Sequence, residues 1–435
     1  MVIDTGTIPP ALDLFARQGL QWLISMPKKH ANPILEKQMK LVDPIIAFQS
    51  EIQQIRRDLH AHPELCYEEK RTSEVVADKL AEWGIPVIRG LGLTGVVGII
   101  KGGHSKRAIG LRADMDALPM QEVNTFAHAS RHPGKMHACG HDGHTAMLLG
   151  AAKHLAAHRN FDGTVYLIFQ PAEEGGAGAR RMIEDGLFEQ CPMDAIYGMH
   201  NWPGAPTGTM SVVEGPMMAS SNEFYVTVKG KGAHAAQPHK GIDPVMVAVQ
   251  IAQSWQTIIS RQKSPLDTAV LSITQIHAGS ATNVIPDEAE LVGTVRTFTQ
   301  PVLDMIEQRM EEIAKHTAAA FGAEVEFKFR RNYPPLVNHA VETKFAVEVM
   351  KSVVGADNVD DNVEPTMGAE DFAFFLQAKP GCYVFIGNGE GEHRDGGHGL
   401  GPCVLHNGSY DFNDNLLPIG ASFWVRLAEQ ALPAA

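Results

Sequence analysis

His137-Ala138-Cys139-Gly140-His141-Asp142-Gly143-His144 runs directly into Thr145-Ala146-Met147-Leu148-Leu149-Gly150-Ala151-Ala152-Lys153-His154-Leu155. The first stretch holds three imidazoles, a thiol and a carboxylate, with glycines that let the backbone fold tightly around a point. The second reads as a helix with an apolar stripe at Leu148, Ala151, Ala152 and Leu155. Soft and borderline ligands thus sit in a turn at a helix start, a rigid support on which a cation site can be built. A solvated His-rich loop is the competing reading, and the company of a buried-looking helix speaks against it.

Outward from this point, helices and short apolar strands alternate. A helical pattern covers 73–84, and strands are expected at 96–100, 108–111, 165–169 and 195–199, with further helices at 145–158 and 176–187. That alternation predicts an α/β domain around a largely buried sheet. Polar groups gather where the strands end. Asp114 and Asp116 follow Leu111, Glu173 and Glu174 follow Phe169 by way of Pro171, and His200 follows Met199. Sites in open α/β sheets form at the carboxyl ends of strands, and three successive strands here end in metal-capable side chains.

From about 219 the texture changes to βαββαβ. Strands are expected at 224–228, 269–277, 289–298 and 324–329, with helices at 244–261 and 301–321. The fold expected is therefore two-domain: an α/β metallohydrolase catalytic domain with an inserted α+β, ferredoxin-like unit. The division runs 1–43 as an N-terminal extension, 44–218 and 331–435 as the two catalytic segments, and 219–330 as the insert. Residues 44–60 read as one long helix ended by Pro63, so the spacing of His60 and His62 is that of a helix end.

Composition sets the outer bounds. A chain of 435 residues is too long for one ordinary core. A net charge of -13 without any basic run excludes nucleic acid as a partner, and no apolar run is long enough to span a membrane. Met1-Val2-Ile3-Asp4 lacks the basic start of a secretion signal, and five scattered cysteines suit a reducing compartment, so a cytoplasmic location is expected.

The candidates for chemistry are Asp114, Asp116, Cys139, His141, Glu173, Glu174, His200 and His406. Two divalent ions sharing a bridging ligand need about this many groups. A thiolate beside imidazoles suits zinc, cobalt, nickel or manganese and argues against calcium and magnesium. Neighbouring Glu173 and Glu174 point in divergent directions. One can therefore bind metal while the other stays free as a general base that later protonates a leaving amine.

The chain resembles the M20 metallopeptidase family, in the amidohydrolase branch of hippurate hydrolases and indoleacetyl-amino acid hydrolases. The resemblance spans about 51–430. It rests on Arg56-Arg57-Asp58-Leu59-His60-Ala61-His62-Pro63-Glu64-Leu65, Leu111-Arg112-Ala113-Asp114-Met115-Asp116-Ala117-Leu118-Pro119, the 137–144 run, Gln170-Pro171-Ala172-Glu173-Glu174-Gly175, Gly198-Met199-His200, Gly232-Ala233-His234, Thr282-Asn283-Val284-Ile285-Pro286 and Leu405-His406-Asn407.

The resemblance implies a dinuclear site with Cys139 as bridging ligand, completed by His141, Glu174, His200 and His406. It makes Glu173 the acid/base and Asp116 a supporting carboxylate. The peptidase branches carry His-x-Asp where this chain has Asp114, and His141 takes that ligand's part, which leaves Asp114 without an assigned role. The insert resembles the family's lid and dimerisation domain. It implies His234 as the oxyanion donor, Asn283 and Arg296 as grips for the substrate carboxylate, and a homodimer or higher oligomer. The activity implied is hydrolysis of N-acyl-L-amino acids. A dipeptidase or aminopeptidase, or an inactive metal-binding relative, is the alternative.

Overall fold

The computed structural model describes residues 39–434. The readings for 1–38 lie outside the described residues. Met39 packs on the main core, and the backbone N–H of Val42 donates to Ser422 Oγ at 3.0 Å.

An eight-stranded mixed sheet organises the larger part. Its middle is four parallel strands in the order Gly163–Gln170, Ala108–Asp114, Ala195–Pro203, Gly381–Gly389. Val87–Leu91 and Gly95–Gly102 extend one side antiparallel, and Met210–Ser211 and Val359–Asp360 finish the other. The strand after Ala108–Asp114 in the chain lies on one side of it and the next one on the other. The carboxyl ends therefore diverge at a topological switch point, where α/β sheets open a crevice.

Helix His141–Ala157 lies beneath that crevice and is buried over most of its length. It packs against helices Gln49–Ala61 and Leu416–Ala431. Met147, Leu148, Leu149 and Leu155 are fully buried, each contributing about 1.5–3 kcal/mol.

The smaller sheet has the order Ala269–Ala278, Glu288–Thr297, Ser221–Lys229, Glu324–Tyr333, antiparallel throughout. Helices Pro244–Thr257 and Gln300–Ala320 pack on it, and Phe224, Val226, Trp255, Leu291, Ile306 and Met310 form a separate hydrophobic cluster. The order is that of a ferredoxin-like βαββαβ unit, with the first and third strands in the centre. The outgoing strand Gly215–Met218 pairs antiparallel with the returning Leu336–Asn338.

Several local expectations need correction, among them the 176–187 helix, which is Gly178–Glu184 and Leu187–Gln190. The 44–60 helix is two helices, Asp43–Ala47 and Gln49–Ala61, because Phe48 leaves helical geometry (φ -112°, ψ 17°) and lies under the Lys153 ammonium. The helix expected from 145 begins at His141, where the Gly143 and His144 amides already donate to the Gly140 carbonyl at 2.9 and 3.1 Å. Glycine and histidine are weak helix formers, so packing overrides propensity there. Strands expected to end at Leu111 and Met199 run on to Asp114 and Pro203, so Asp114 and His200 lie inside the ladders.

Candidate metal centre

Four chain segments meet at the carboxyl edge of the parallel strands. Cys139 enters on the approach to the buried helix, and His141 is that helix's first residue. Gly140 between them has φ +92°, a conformation that favours glycine. A Cβ on Gly140 would lie 2.3 Å from Asn201 Nδ2 and 2.5 Å from the Tyr410 hydroxyl, so the turn admits no side chain. His200 comes from strand Ala195–Pro203, Glu173 and Glu174 from the turn after Gly163–Gln170, and His406 from the loop before helix Leu416–Ala431.

Ligand-capable atoms of Cys139, His141 and His200 lie within 4.8 Å of one another, as do those of Cys139, Glu174 and His406, and those of His141, Glu173 and Glu174. Cys139 Sγ is 3.3 Å from His200 Nε2, and His406 Nε2 is 3.2 Å from Glu174 Oε1. His200 Nδ1 is 2.6 Å from the Asn201 carbonyl, so it carries the proton and leaves the Nε2 lone pair facing the thiol. Burial and His144 hold His200 well below the ordinary histidine range, hence neutral and able to ligate. His406, with φ +58° and a side chain 54 % exposed, is the open side of the cluster. A non-glycine residue in that conformation is the kind of local strain found at functional sites.

The supporting shell is anionic. Asp116 accepts from the backbone amides of Glu173 and Glu174 and lies 3.3 Å from His141 Nδ1. Asp114, which the sequence left without a role, accepts from Arg112 at 2.7 Å and pairs with His144 Nδ1 at 2.6 Å. His144 Nε2 in turn accepts from the Asn201 amide at 2.9 Å. Burial would depress His141, but Asp114 and Asp116 outweigh it and push the ring up to about 10. A positive charge therefore belongs at that spot, whether as a proton on the ring or as a metal ion beside it.

Two kinds of observation fit this set to cations. Asp116 and His406 come close to His141 Nδ1 and Glu174 Oε1, yet neither these two buried atoms nor His141 Nε2 makes a hydrogen bond among the described residues, which is costly unless something else satisfies them. The Cys139 thiol is pushed well up by burial and by Glu174, Glu173 and Asp114, so only added positive charge would make it a thiolate. Thiol, imidazole and carboxylate donors together match the borderline divalent metals.

Sequence reading missed Glu370 and Asp371. With Glu173 they form a buried acidic group within 4.8 Å, and Arg112 donates to Glu370 at 2.8 Å and to Asp371 at 3.2 Å. Burial, Glu370, Glu174 and Asp371 push Glu173 well above the usual carboxylate range. The available signal was two adjacent acids running straight into the apolar Phe372-Ala373-Phe374-Phe375. The remaining candidates sit on the smaller unit. His234 is exposed and pairs with Val284 in a two-residue ladder, next to Asn283, whose carbonyl accepts from the Ala235 amide at 3.0 Å. Arg296 pairs with Val270 in the four-stranded sheet and is half-buried. Among the described residues, His234 belongs to none of the metal-capable groups.

The chain is similar to several known proteins over most of its length. The chain is 42 % identical over 392 residues to hippurate hydrolase of Campylobacter jejuni, covering 90 % of this chain and 99 % of that protein. It is 40 % identical over 383 residues to an IAA-amino acid hydrolase of Arabidopsis thaliana, covering 87 % and 85 %. A solved Bacillus subtilis protein described as a dinuclear metal binding peptidase of the M20 family superposes with a TM-score of 0.76 at 36 % identity, over 90 % of this chain and all of that one. The model of peptidase family M20/M25/M40 matches residues 110–430, and with a switch-point crevice that gathers a thiol, imidazoles and paired glutamates, the chain belongs to that family.

Proposed function

We propose that this protein hydrolyses the amide bond of N-acyl-L-amino acids, releasing a carboxylic acid and an amino acid. The observation that carries the reading is the convergence of Cys139, Glu174 and His406 within 4.8 Å, beside a glutamate outside that triple. Cys139, His141, Glu174, His200 and His406 would hold two divalent cations: manganese, zinc, cobalt or nickel. Bound there, such ions polarise the amide carbonyl and make water a stronger acid.

The chain's own residues supply the remainder. Glu173 takes a proton from the attacking water as its oxygen bonds to the carbonyl carbon. It returns that proton to the nitrogen as the C–N bond breaks, so the amine leaves neutral. Burial and the neighbouring acids hold the Glu173 carboxyl above the usual carboxylate range, which favours its carrying the proton that the leaving nitrogen needs. Asp116 fixes the backbone of the Glu173–Glu174 pair. His234 stabilises the oxyanion, and Asn283 and Arg296 grip the substrate carboxylate, once the smaller unit of this chain or of a partner copy closes over the crevice. The five free cysteines fit a cytoplasmic setting.

A panel of N-acyl amino acids (benzoyl, indoleacetyl and acetyl), with Gly-Phe for comparison, assayed after chelation and add-back of each metal, tests this. Metal-dependent release of acid from an N-acyl amino acid, faster than cleavage of Gly-Phe, is expected. Metal-dependent turnover of Gly-Phe alone, or none at all, overturns it.

A further inference from the structure

We infer that Tyr333 is a positioning residue that ties the smaller sheet to the turn carrying Glu173 and Glu174. It ends strand Glu324–Tyr333, and the pairing register with Ser221–Lys229 shifts between Arg331 and Tyr333. Such an irregularity re-aims the side chain that follows it. The Tyr333 ring leaves the small sheet and is buried against the catalytic turn.

Its hydroxyl is fully used there. It donates to the Glu173 carbonyl and accepts from the backbone amides of Gly175 at 2.8 Å and Ala177 at 3.3 Å. One donor and two acceptor positions are all a phenol has. The turn depends on outside help, because Ala172, Gly175 and Ala177 have φ of +57°, +88° and +54°. Left-handed geometry at two alanines is unfavourable on its own and persists only where surrounding bonds impose it.

The other crossing between the two parts reaches the same glutamate. The Ala219 amide donates to the carbonyls of Thr366 and Gly368 at 3.1 and 2.9 Å. The segment after Gly368 leads to Asp371, whose backbone N–H lies 3.4 Å from Glu173 Oε1. The returning crossing thus ends on the Glu173 backbone through Tyr333, and the outgoing one is held by the loop whose Asp371 amide faces the Glu173 carboxylate. The orientation of the smaller sheet and the placement of the base form one mechanical unit, with Tyr333 as the link that a single oxygen atom makes.

The inference rests on the proposed acid–base role of Glu173, and the test separates the two. In the metal-loaded enzyme, Tyr333→Phe is compared with wild type for kcat and KM on hippurate, bound metal, and hydrogen exchange at the Gly175 and Ala177 amides. Val353→Ala in the distant core controls for general loss of stability. Expected are faster exchange at both amides, kcat lowered on the order of 10- to 100-fold with KM within about twofold, and full metal content. Exchange within about twofold of wild type overturns the clamp. Faster exchange with unchanged kcat, or a kcat loss matched by lost metal or by the control, overturns the positioning role. Wild-type inactivity on hippurate would count against the proposed substrate, while the exchange readout would still judge the clamp. If Tyr333→Phe does not fold, 4-aminophenylalanine at 333 keeps the donor and weakens the acceptor; exchange at Gly175 and Ala177 must then rise while that at Gly178 stays, or the clamp is wrong.

Discussion

Asp116 holds Glu174 by its backbone: Oδ2 accepts from the Glu174 amide at 2.8 Å, while Oδ1 accepts from Glu173 at 3.0 Å and faces His141 Nδ1 at 3.3 Å. One carboxylate therefore orients two ligand candidates and the proposed base. In Asp116→Asn, one oxygen becomes an NH2 group that opposes a backbone N–H or the histidine. Metal affinity should fall by about 10- to 100-fold, as when the partners of other ligands are removed. Competition against a chelating dye measures it, and wild-type affinity in the variant would refute this role.

Glu173→Gln keeps the shape of the side chain and removes its ability to exchange protons. The expected result is kcat lower by about 100-fold or more with the bound metal retained. Steady-state rates on the metal-loaded variant decide it, and retention of more than about a tenth of wild-type kcat would remove Glu173 from the acid–base role.

Gly140→Ala should be strongly destabilising. Left-handed geometry costs a non-glycine residue about 1–2 kcal/mol. The new methyl also overlaps Asn201 and Tyr410, and overpacking of this kind adds about 1–3 kcal/mol. Urea unfolding of metal-free wild type and variant measures the difference, and a shift below about 1 kcal/mol would contradict the geometry.

His60 makes stability depend on pH. Burial disfavours its charge, but Asp142 at 2.9 Å and Glu122 at 3.2 Å outweigh burial and raise it to about 9 from 6.5. A pKa higher in the folded than in the unfolded chain gives stability that is complete below 6.5 and lost as pH rises through 9. The loss over that window is on the order of 3 kcal/mol at most. The gap in Tm between wild type and His60→Gln should narrow from pH 6.5 to 9, and a constant gap would mean that the ring is neutral in the native state.

The residues proposed for the chemistry stood out because they sit beside strong local patterns. The Glu173–Glu174 pair follows an apolar strand, and the Cys139–His141 pair precedes an apolar helix, so buried elements advertise the polar residues at their ends. Glu370 and Asp371 escaped notice because their part comes from Arg112, a residue of another strand whose guanidinium joins both acids to Asp114. No local periodicity reports such a link. His144 was visible in the run, but its tie to Asp114 depends on which face of the helix meets the sheet.

By itself, the sequence determined the alternation of helices and strands, the split from α/β to βαββαβ texture, and the supply of thiol, imidazole and carboxylate at strand ends. These follow from hydrophobic periodicity and side-chain chemistry, which act over a few residues. Only the tertiary structure decided that Cys139 meets Glu174 and His406, that His141 opens a helix, and that Tyr333 reaches from one sheet to the turn of the other. Those contacts join residues far apart in the chain, and they exist because a buried polar group must find its partner wherever packing brings one within reach.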